Sequence, residues 1–296
     1  MISVALVGNG GIGSQDHQNT MYRPAFERHP SFELVDDEDK AEVVSVALPL
    51  AERGAAIAAA IRAGKHVLAD KPMAATLAEA EEIERLAATH SVVVVPAHHQ
   101  RFGAALRSAT AAVRAGRVGL PWNVQCDFIV AGGDPAPTGE LVNFGLYPVD
   151  VVSALLGLEV RRVHATGSPE LVTLLLDHEH GVTSTIVCGR IPALRDLPPG
   201  GLAVHRYRIS GSHGVLAVDA TKPALRVRTT TANGPVWTGP GTVDALLDVL
   251  AAGISNGHAA LGPRDAVRTQ RVIEAAQRSI AVGQPVAIGA PVETGE

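Results

Sequence analysis

MISVALVGNGGIG, residues 1–13, decides the fold. Ile2–Val7 is an apolar run of strand length that passes straight into Gly8-Asn9-Gly10-Gly11-Ile12-Gly13, the spacing G-x-G-x-x-G. In such a loop the first glycine allows a tight turn. The second lets a pyrophosphate approach the backbone, and the third lets the next helix pack close to the sheet. The helix beyond turns its first amides and positive dipole end toward the phosphates. By itself the spacing also fits a glycine-rich turn with no ligand, so the context has to carry the reading. The next residues, SQDHQNTMYRPAF, begin polar, which predicts a helix starting late, near Thr20. Asp16 and His17 then lie in the loop near the phosphate position, where His17 reads as a surface loop histidine, with a phosphate contact as the alternative.

Outward from the loop, strands and helices alternate. The pattern predicts a helix over 20–29, strands at Phe32–Val35 and Val43–Leu48, a helix over 51–63 and a strand at His66–Ala69. Thr76 reads as an N-cap with Glu79 completing a capping box, for a helix reaching His90. Val92–Val95 closes the series. Continuous apolar strands in alternation with helices mean a parallel sheet covered on both faces. Only 57 positions separate Gly13 from Asp70, and Phe32–Val35 runs almost directly into DDEDKAEVVSVALP. A full six-strand sheet of order 3-2-1-4-5-6 has another strand and helix there, so an edge strand is expected to be missing.

Beyond a helix over 103–116 the period changes to two. VQCDF (124–128), RRVHA (161–165), LVTLLLD (171–177), VTSTIVC (182–188), HRYRIS (205–210), GVLAVD (214–219) and ALRVRTT (224–230) predict a largely antiparallel sheet. Helices are expected over 143–156, 242–254 and 264–282. The expected division is a doubly wound α/β domain, 1–100, followed by an α+β domain, 101–296.

Composition sets the outer limits. Of 296 residues, 46% are hydrophobic and 19% charged, enough for a sizeable core and against disorder. A net charge of −5 with no Lys/Arg block excludes a nucleic-acid surface. Cys126 and Cys188 sit in apolar runs and read as buried free thiols. The first residues lack the basic region of a signal peptide, and no uncharged apolar run approaches the roughly 20 residues of a membrane span. A soluble cytoplasmic protein is expected.

Candidate chemistry starts at GKHVLADKPMA, 64–74, where an apolar strand stops on Asp70-Lys71-Pro72. A lysine at the carboxyl end of a central strand faces the crevice where such sheets bind ligands. There it can hydrogen-bond a substrate hydroxyl and stabilise alkoxide charge, with a pKa lowered by desolvation. The bland alternative is a solvated loop. Asp36 and Asp37 follow the second strand, where an acid binds the adenosine ribose and repels a 2′-phosphate, favouring NAD over NADP. DDEDK is equally a solvated turn. His98, His99 and Arg101 lie just past the last strand of the first half. Arg101 suits an oxygen-rich or anionic substrate, or a structural salt bridge. Asp177-His178-Glu179-His180 reads as a hairpin turn rather than a metal site, and Trp122 and Trp237 as core or rim residues.

GNGGIG, GKHVLADKP and GELVNFGLYPVD (139–150), in this order, resemble the Gfo/Idh/MocA oxidoreductases, a group that includes glucose–fructose oxidoreductase, inositol dehydrogenase and dihydrodiol dehydrogenase. SVALP (45–49), HHQRF (98–102), HRYRISGSHGVLAVD (205–219) and GQPVAI (283–288) extend the resemblance over nearly the whole chain. It implies a Rossmann domain, shortened here, and a C-terminal domain with a large open antiparallel sheet that often forms a subunit interface, hence a homodimer or homotetramer. It also implies hydride transfer between NAD or NADP and a secondary alcohol or ketone of a sugar, cyclitol or small polyol.

Carried onto this chain, the resemblance assigns Gly8, Asn9, Gly10, Gly11, Ile12 and Gly13, with Asp36, Leu48, Pro49, Asp70 and Lys71, to the cofactor. The family's Glu-Lys-Pro appears as Asp70-Lys71-Pro72, with Lys71 as the catalytic residue. Its acid–x–Gly–x–His/Tyr pattern reads Asn143-Phe144-Gly145-Leu146-Tyr147. Asn143 and Tyr147 are one helical turn apart and can share a face. Tyr147 is the candidate proton relay, with a half-buried anchoring tyrosine as the alternative. Asn143 can orient a hydroxyl but, as an amide, cannot act as a base. His99 and Arg101 are assigned to the substrate's vicinity. The rival reading is a non-catalytic dinucleotide- or sugar-sensing protein of the same fold, which Asn143 and the shortened cofactor domain favour.

Overall fold

The computed structural model describes residues 1–12, 15–221 and 241–289. After β1 (Ile2–Val7) a π-helical turn at Gln18–Tyr22 runs into α1 (Arg23–Arg28). β2 (Phe32–Leu34), β3 (Val43–Val46), α2 (Leu50–Arg62), β4 (His66–Ala69), α3 (Leu77–His90) and β5 (Val94–Pro96) complete the alternation. Every pair is parallel, in the order β2-β1-β3-β4-β5. Among the described residues no strand lies outside β2, so the shortened doubly wound sheet is present. The chain steps from β1 out to β2 and then crosses to the other side of β1 for β3. The β1/β3 boundary is therefore the switch point, where sheets of this kind bind ligands beyond their strand ends.

Helices cover both faces, and all four residues of β3 are buried. On one face Ile57 and Ile61 of α2 and Ile83 and Leu86 of α3 cluster with Val44, Val46, Val67 and Val94. On the other, Tyr22 and Phe26 cluster with Val4, Val43 and Leu68. Truncating one such aliphatic side chain to alanine costs about 2–5 kcal/mol. The capping box at α3 forms, one residue wider than expected. Thr76 Oγ1 accepts from the Glu79 amide at 3.2 Å, while Glu79 Oε2 accepts from the Ala75 amide at 2.9 Å.

Two boundaries differ from the sequence expectation. The helical segment starts at Gln18, not near Thr20, because the polar residues act as cap and anchor. Asp16 Oδ1 accepts from the Asn19 amide at 2.9 Å, and the Gln18 amide is bonded both ways to Ser45 of β3 (2.8 and 2.9 Å). The last strand begins at Val94 instead of Val92. The Val92 amide closes the end of α3 on Ala87 O (3.2 Å), and the Val93 amide donates to His66 Nδ1 (2.9 Å).

The chain continues through α4 (Ala104–Arg114), β6 (Pro121–Ala131), a second π-helical turn at Leu141–Gly145 and α5 (Leu146–Leu156). β7 (Val160–Gly167), β8 (Leu171–His178), β9 (Thr183–Ile191), β10 (Gly201–Gly211) and β11 (Gly214–Asp219) follow. After the undescribed stretch come α6 (Thr242–Asn256), α7 (Pro263–Val282) and β12 (Val286–Ala287). The second sheet has the order β11-β10-β6-β9-β8-β7-β12. The sheet is largely antiparallel, as expected, with β6 and β9 as a parallel pair: the connection through α5, β7 and β8 brings the chain back in the same direction. The strand expected over 224–230 and Trp237 lie outside the described residues.

Alternation along β8 places Val172, Leu174 and Leu176 inward and leaves Leu171 and Leu175 on the opposite face. The inner face packs on α5 and on Val272, Ile273, Ala275 and Ala276 of α7. Cys126 and Cys188 are free and buried in this core, and burial pushes the Cys188 thiol up to about 12. Glu179–Gly181 is a single turn joining β8 to β9, as expected of a hairpin. Trp122 is exposed.

By contacts the chain forms two units, Met1–Ala104 with Pro223–Gln270, and Ala105–Lys222 with Arg271–Glu296. This differs from a single cut near residue 100, because α6 returns to the first unit. Leu246, Leu247 and Leu250 join the cluster of Val4, Phe26 and Val95. Among the described residues no helix is long and apolar enough to cross a membrane.

Candidate active site

Gly8 leaves β1 with φ +74°, and a Cβ there would lie 2.5 Å from Ala47 O and 2.7 Å from Leu48 Cδ2. Both the dihedral and the approach of the β3 end demand glycine. Gly10 faces Pro49, whose nitrogen would be 3.5 Å from a Cβ. Gly8 and Asn9 are exposed, as is Pro49, whereas Gly11 and Ile12 are buried. Gly13 lies outside the described residues. An exposed glycine backbone at the switch point, too close to Ala47 and Leu48 for a side chain at Gly8, fits the pyrophosphate of a dinucleotide. The expected set of phosphate-facing amides is smaller, however. The Gly11 amide donates to Gln15 O at 2.6 Å, and the Asn19 amide is taken by Asp16. Asp36 is exposed just past β2, whereas Asp37 accepts from the Asp39 amide at 3.1 Å and pairs with Lys40 at 3.0 Å.

At the end of β4, Asp70 is 0% and Lys71 1% exposed, and the Lys71–Pro72 bond is cis. Both Asp70 oxygens are occupied. Oδ1 meets His17 Nδ1 at 3.0 Å and accepts from the Tyr22 hydroxyl at 2.5 Å; Oδ2 accepts from Arg53 Nη2 at 2.9 Å. Burial alone would raise the Asp70 pKa, but the His17 hydrogen bond and the Arg53, His17 and Lys71 charges outweigh it and hold the group at about 2. His17, expected on the surface, is buried in this network and bridges on to Gln15 Oε1 at 2.9 Å.

His99 is also buried, with Nδ1 2.7 Å from Thr242 Oγ1. Burial first, then the positive charge of Lys71, hold it down at about 3, so it is neutral at ordinary pH and close enough to Lys71 to feel its charge. Arg101 Nη2 pairs with Asp265 at 3.2 Å.

In the second unit, Asn143 and Tyr147 are both buried. A π-helical turn covers Asn143 and an α-helix begins at Leu146, so the two are not spaced by a regular α-turn. The Asn143 Nδ2 donates to Glu140 Oε2 at 2.9 Å. Glu140 Oε1 accepts from Arg190 Nε at 2.6 Å and from the Ala136 amide at 3.1 Å. A buried carboxylate thus stands three residues before the position where the motif's acid is replaced. The Tyr147 ring lies 5.7 Å from that of Phe128. A Cβ on Gly145 would come within 3.3 Å of Ile273 Cδ1, so the glycine lets the turn pack against α7.

Sequence reasoning missed Arg53, Tyr22, Glu140 and Arg190 and misread His17. Arg53 left a signal: it shares the four-residue stripe with Ile57 and Ile61, a cation on an otherwise apolar helix face. Tyr22 sits one turn before Phe26 in the same way. Arg190 and Glu140 are 50 residues apart, and nothing local announces their pairing.

Residues 3–98 match the family described as "Oxidoreductase family, NAD-binding Rossmann fold". The chain is 27% identical over 175 residues to trans-1,2-dihydrobenzene-1,2-diol dehydrogenase of Mus musculus, covering 53% of this chain and 52% of that protein. It is 49% identical over 63 residues to 1,5-anhydro-D-fructose reductase of Ensifer adhaerens, covering 21% and 19%. These alignments span about half or less of the relatives' length. Scyllo-inositol dehydrogenase from Lactobacillus casei, solved with NAD(H) and scyllo-inositol, is similar in fold, with a TM-score of 0.80 at 16% identity over 98% of this chain and 100% of that one.

Proposed function

We propose, from the match of residues 3–98 to the Gfo/Idh/MocA oxidoreductase family, a nicotinamide-dependent dehydrogenase or reductase acting on a secondary alcohol, or the matching ketone, of a sugar, cyclitol or small polyol. The observation that carries the reading is the end of β4, where a lysine only 1% exposed follows a strand inside the parallel sheet, on a loop fixed by Asp70.

The dinucleotide, when bound, supplies or accepts the hydride. Gly8, Asn9 and Gly10 hold its pyrophosphate through the backbone, Gly11 and Ile12 shape the turn from below, and Leu48 and Pro49 form the facing wall. Lys71 donates to the reacting oxygen and stabilises the negative charge that develops on it, an effect strengthened by its low exposure. His99, neutral, hydrogen-bonds a neighbouring substrate hydroxyl without adding charge. Tyr147 and Asn143 keep the roles that the motif resemblance implies for them, a proton relay and a substrate-orienting amide. Arg101 is assigned to holding its loop against Asp265. NAD is favoured over NADP because Asp36 is exposed at the β2 edge while Asp37 is engaged by its own turn. A homo-oligomer through the outer face of the second sheet is supported by the exposed Leu171 and Leu175.

The test is a panel of polyols, sugars and keto-sugars with each dinucleotide, followed by reduced-nicotinamide absorbance. Turnover of at least one member, faster with NAD, is expected. Dinucleotide binding without turnover across the panel contradicts the reading and favours a sensor.

A further inference from the structure

Arg53 is a long cation with no exposed side-chain surface, placed in the first turns of α2. Both facts are costly. Removing a guanidinium from water costs several kcal/mol, and the positive end of a helix dipole adds repulsion. An apolar residue would fill the same stripe beside Ile57 and Ile61, and buried ion pairs are weak stabilisers compared with well-packed apolar groups. What distinguishes Arg53 is the set of atoms it joins. Nε and Nη2 donate to Leu48 O at 3.1 and 2.7 Å. Nη2 also donates to Asp70 Oδ2 at 2.9 Å, and Nη1 to Pro72 O at 2.6 Å. One rigid planar fork thus ties the loop after β3, whose Leu48 and Pro49 face the glycine turn, to the loop after β4. It grips the second loop on both sides of Lys71.

We propose that Arg53 is a positioning residue for Lys71: by holding the Asp70 carboxylate and the Pro72 carbonyl together it fixes the backbone from which the lysine reaches. His17 and Tyr22 hold the other Asp70 oxygen, so the carboxylate is constrained from two directions. His17, Tyr22 and Arg53 together close around an aspartate with no exposed surface. Lysine at 53 would keep the charge and lose the fork. The inference rests on the proposed role of Lys71.

The test compares wild type with Arg53→Lys, reading kcat, KM, thermal midpoint and hydrogen–deuterium exchange of the peptides covering Ala69–Ala74. A lysine carrier out of register is expected to lower kcat about tenfold or more with KM for the alcohol changed less than about threefold. Faster exchange is expected at 69–74 in the folded variant. A purely structural Arg53 would lower the midpoint and leave kcat, measured well below it, unchanged; that result, or unaltered exchange, overturns the proposal. If Arg53→Lys does not fold, the charge-neutral pair Arg53→Met with Asp70→Asn is read by the same criteria. A wild type inert on every substrate counts against the assigned activity, and the exchange comparison then decides the positioning claim alone.

Discussion

His17 Nδ1 and Asp70 Oδ1 lie 3.0 Å apart, both buried, although 53 residues separate them in the chain. The contact joins the segment after the glycine turn to the residue preceding Lys71, with Arg53 completing the charge balance. Its pH signature follows from the sign of the shift. The Asp70 pKa is depressed from 3.8 to about 2, so its contribution to stability is complete above the unfolded value and is lost as pH falls from about 4 to about 2. That contribution amounts to roughly 2 kcal/mol. Asp70→Asn is expected to be about 3–5 kcal/mol less stable near neutrality, because Arg53 is left without its counter-charge. It should also lose most of the wild type's further decline in that acid window. Denaturant midpoints of both proteins across the window check this; parallel declines contradict it.

Three buried histidines give a second pH dependence at milder acidity. Burial is the first cause in each: it holds His99 at about 3, and His178 and His205 at about 4, against an ordinary 6.5. A histidine depressed in the folded state stabilises fully above the unfolded value and costs stability as pH falls toward the folded one. Each therefore removes up to about 1.4 kcal/mol per pH unit below about 6.5. Thermal midpoints should fall steadily between about pH 6.5 and 4, and His205→Gln should make that fall shallower. A flat midpoint in wild type over this range contradicts the buried neutral state.

Much of this arrangement was legible in the sequence, for physical reasons. The apolar run of Ile2–Val7 before a G-x-G-x-x-G turn, and the capping box at Thr76 and Glu79, are local signals, and both elements form where expected. The missing edge strand was readable because chain length between Gly13 and Asp70 leaves no room for it. The network around Asp70 was not readable. His17, Tyr22 and Arg53 are brought together by tertiary packing, and a polar loop such as SQDHQN has the same composition whether it is solvated or capping a helix. The parallel β6/β9 pair was hidden because period-two alternation reports which face is buried and not strand direction.

Cofactor selectivity separates two neighbouring acids. Asp36 is exposed while Asp37 is committed to its own turn, so only Asp36 is expected to act on the ribose. Asp36→Ser should raise kcat/KM with NADP relative to NAD by about tenfold, whereas Asp37→Ser should change the ratio less than about twofold. Steady-state kinetics with both dinucleotides tests this, and equal effects of the two substitutions contradict it.

The outer face of the second sheet makes a prediction about assembly. Leu171 and Leu175 are 38% and 43% exposed on a strand whose alternate residues fill the core. Leu175→Arg should shift the sedimenting species to a smaller one without lowering the thermal midpoint of the fold by more than a few degrees, since the residue is outside the core. A wild type that already sediments as a monomer contradicts the interface.

The central claim is that Lys71 acts on the reacting oxygen. Lys71→Met keeps the length and apolar stem of the side chain and removes its charge. Turnover of the best substrate should fall about a hundredfold or more, while the dissociation constant of the dinucleotide, titrated by fluorescence, changes less than about threefold. Wild-type turnover in Lys71→Met contradicts the account.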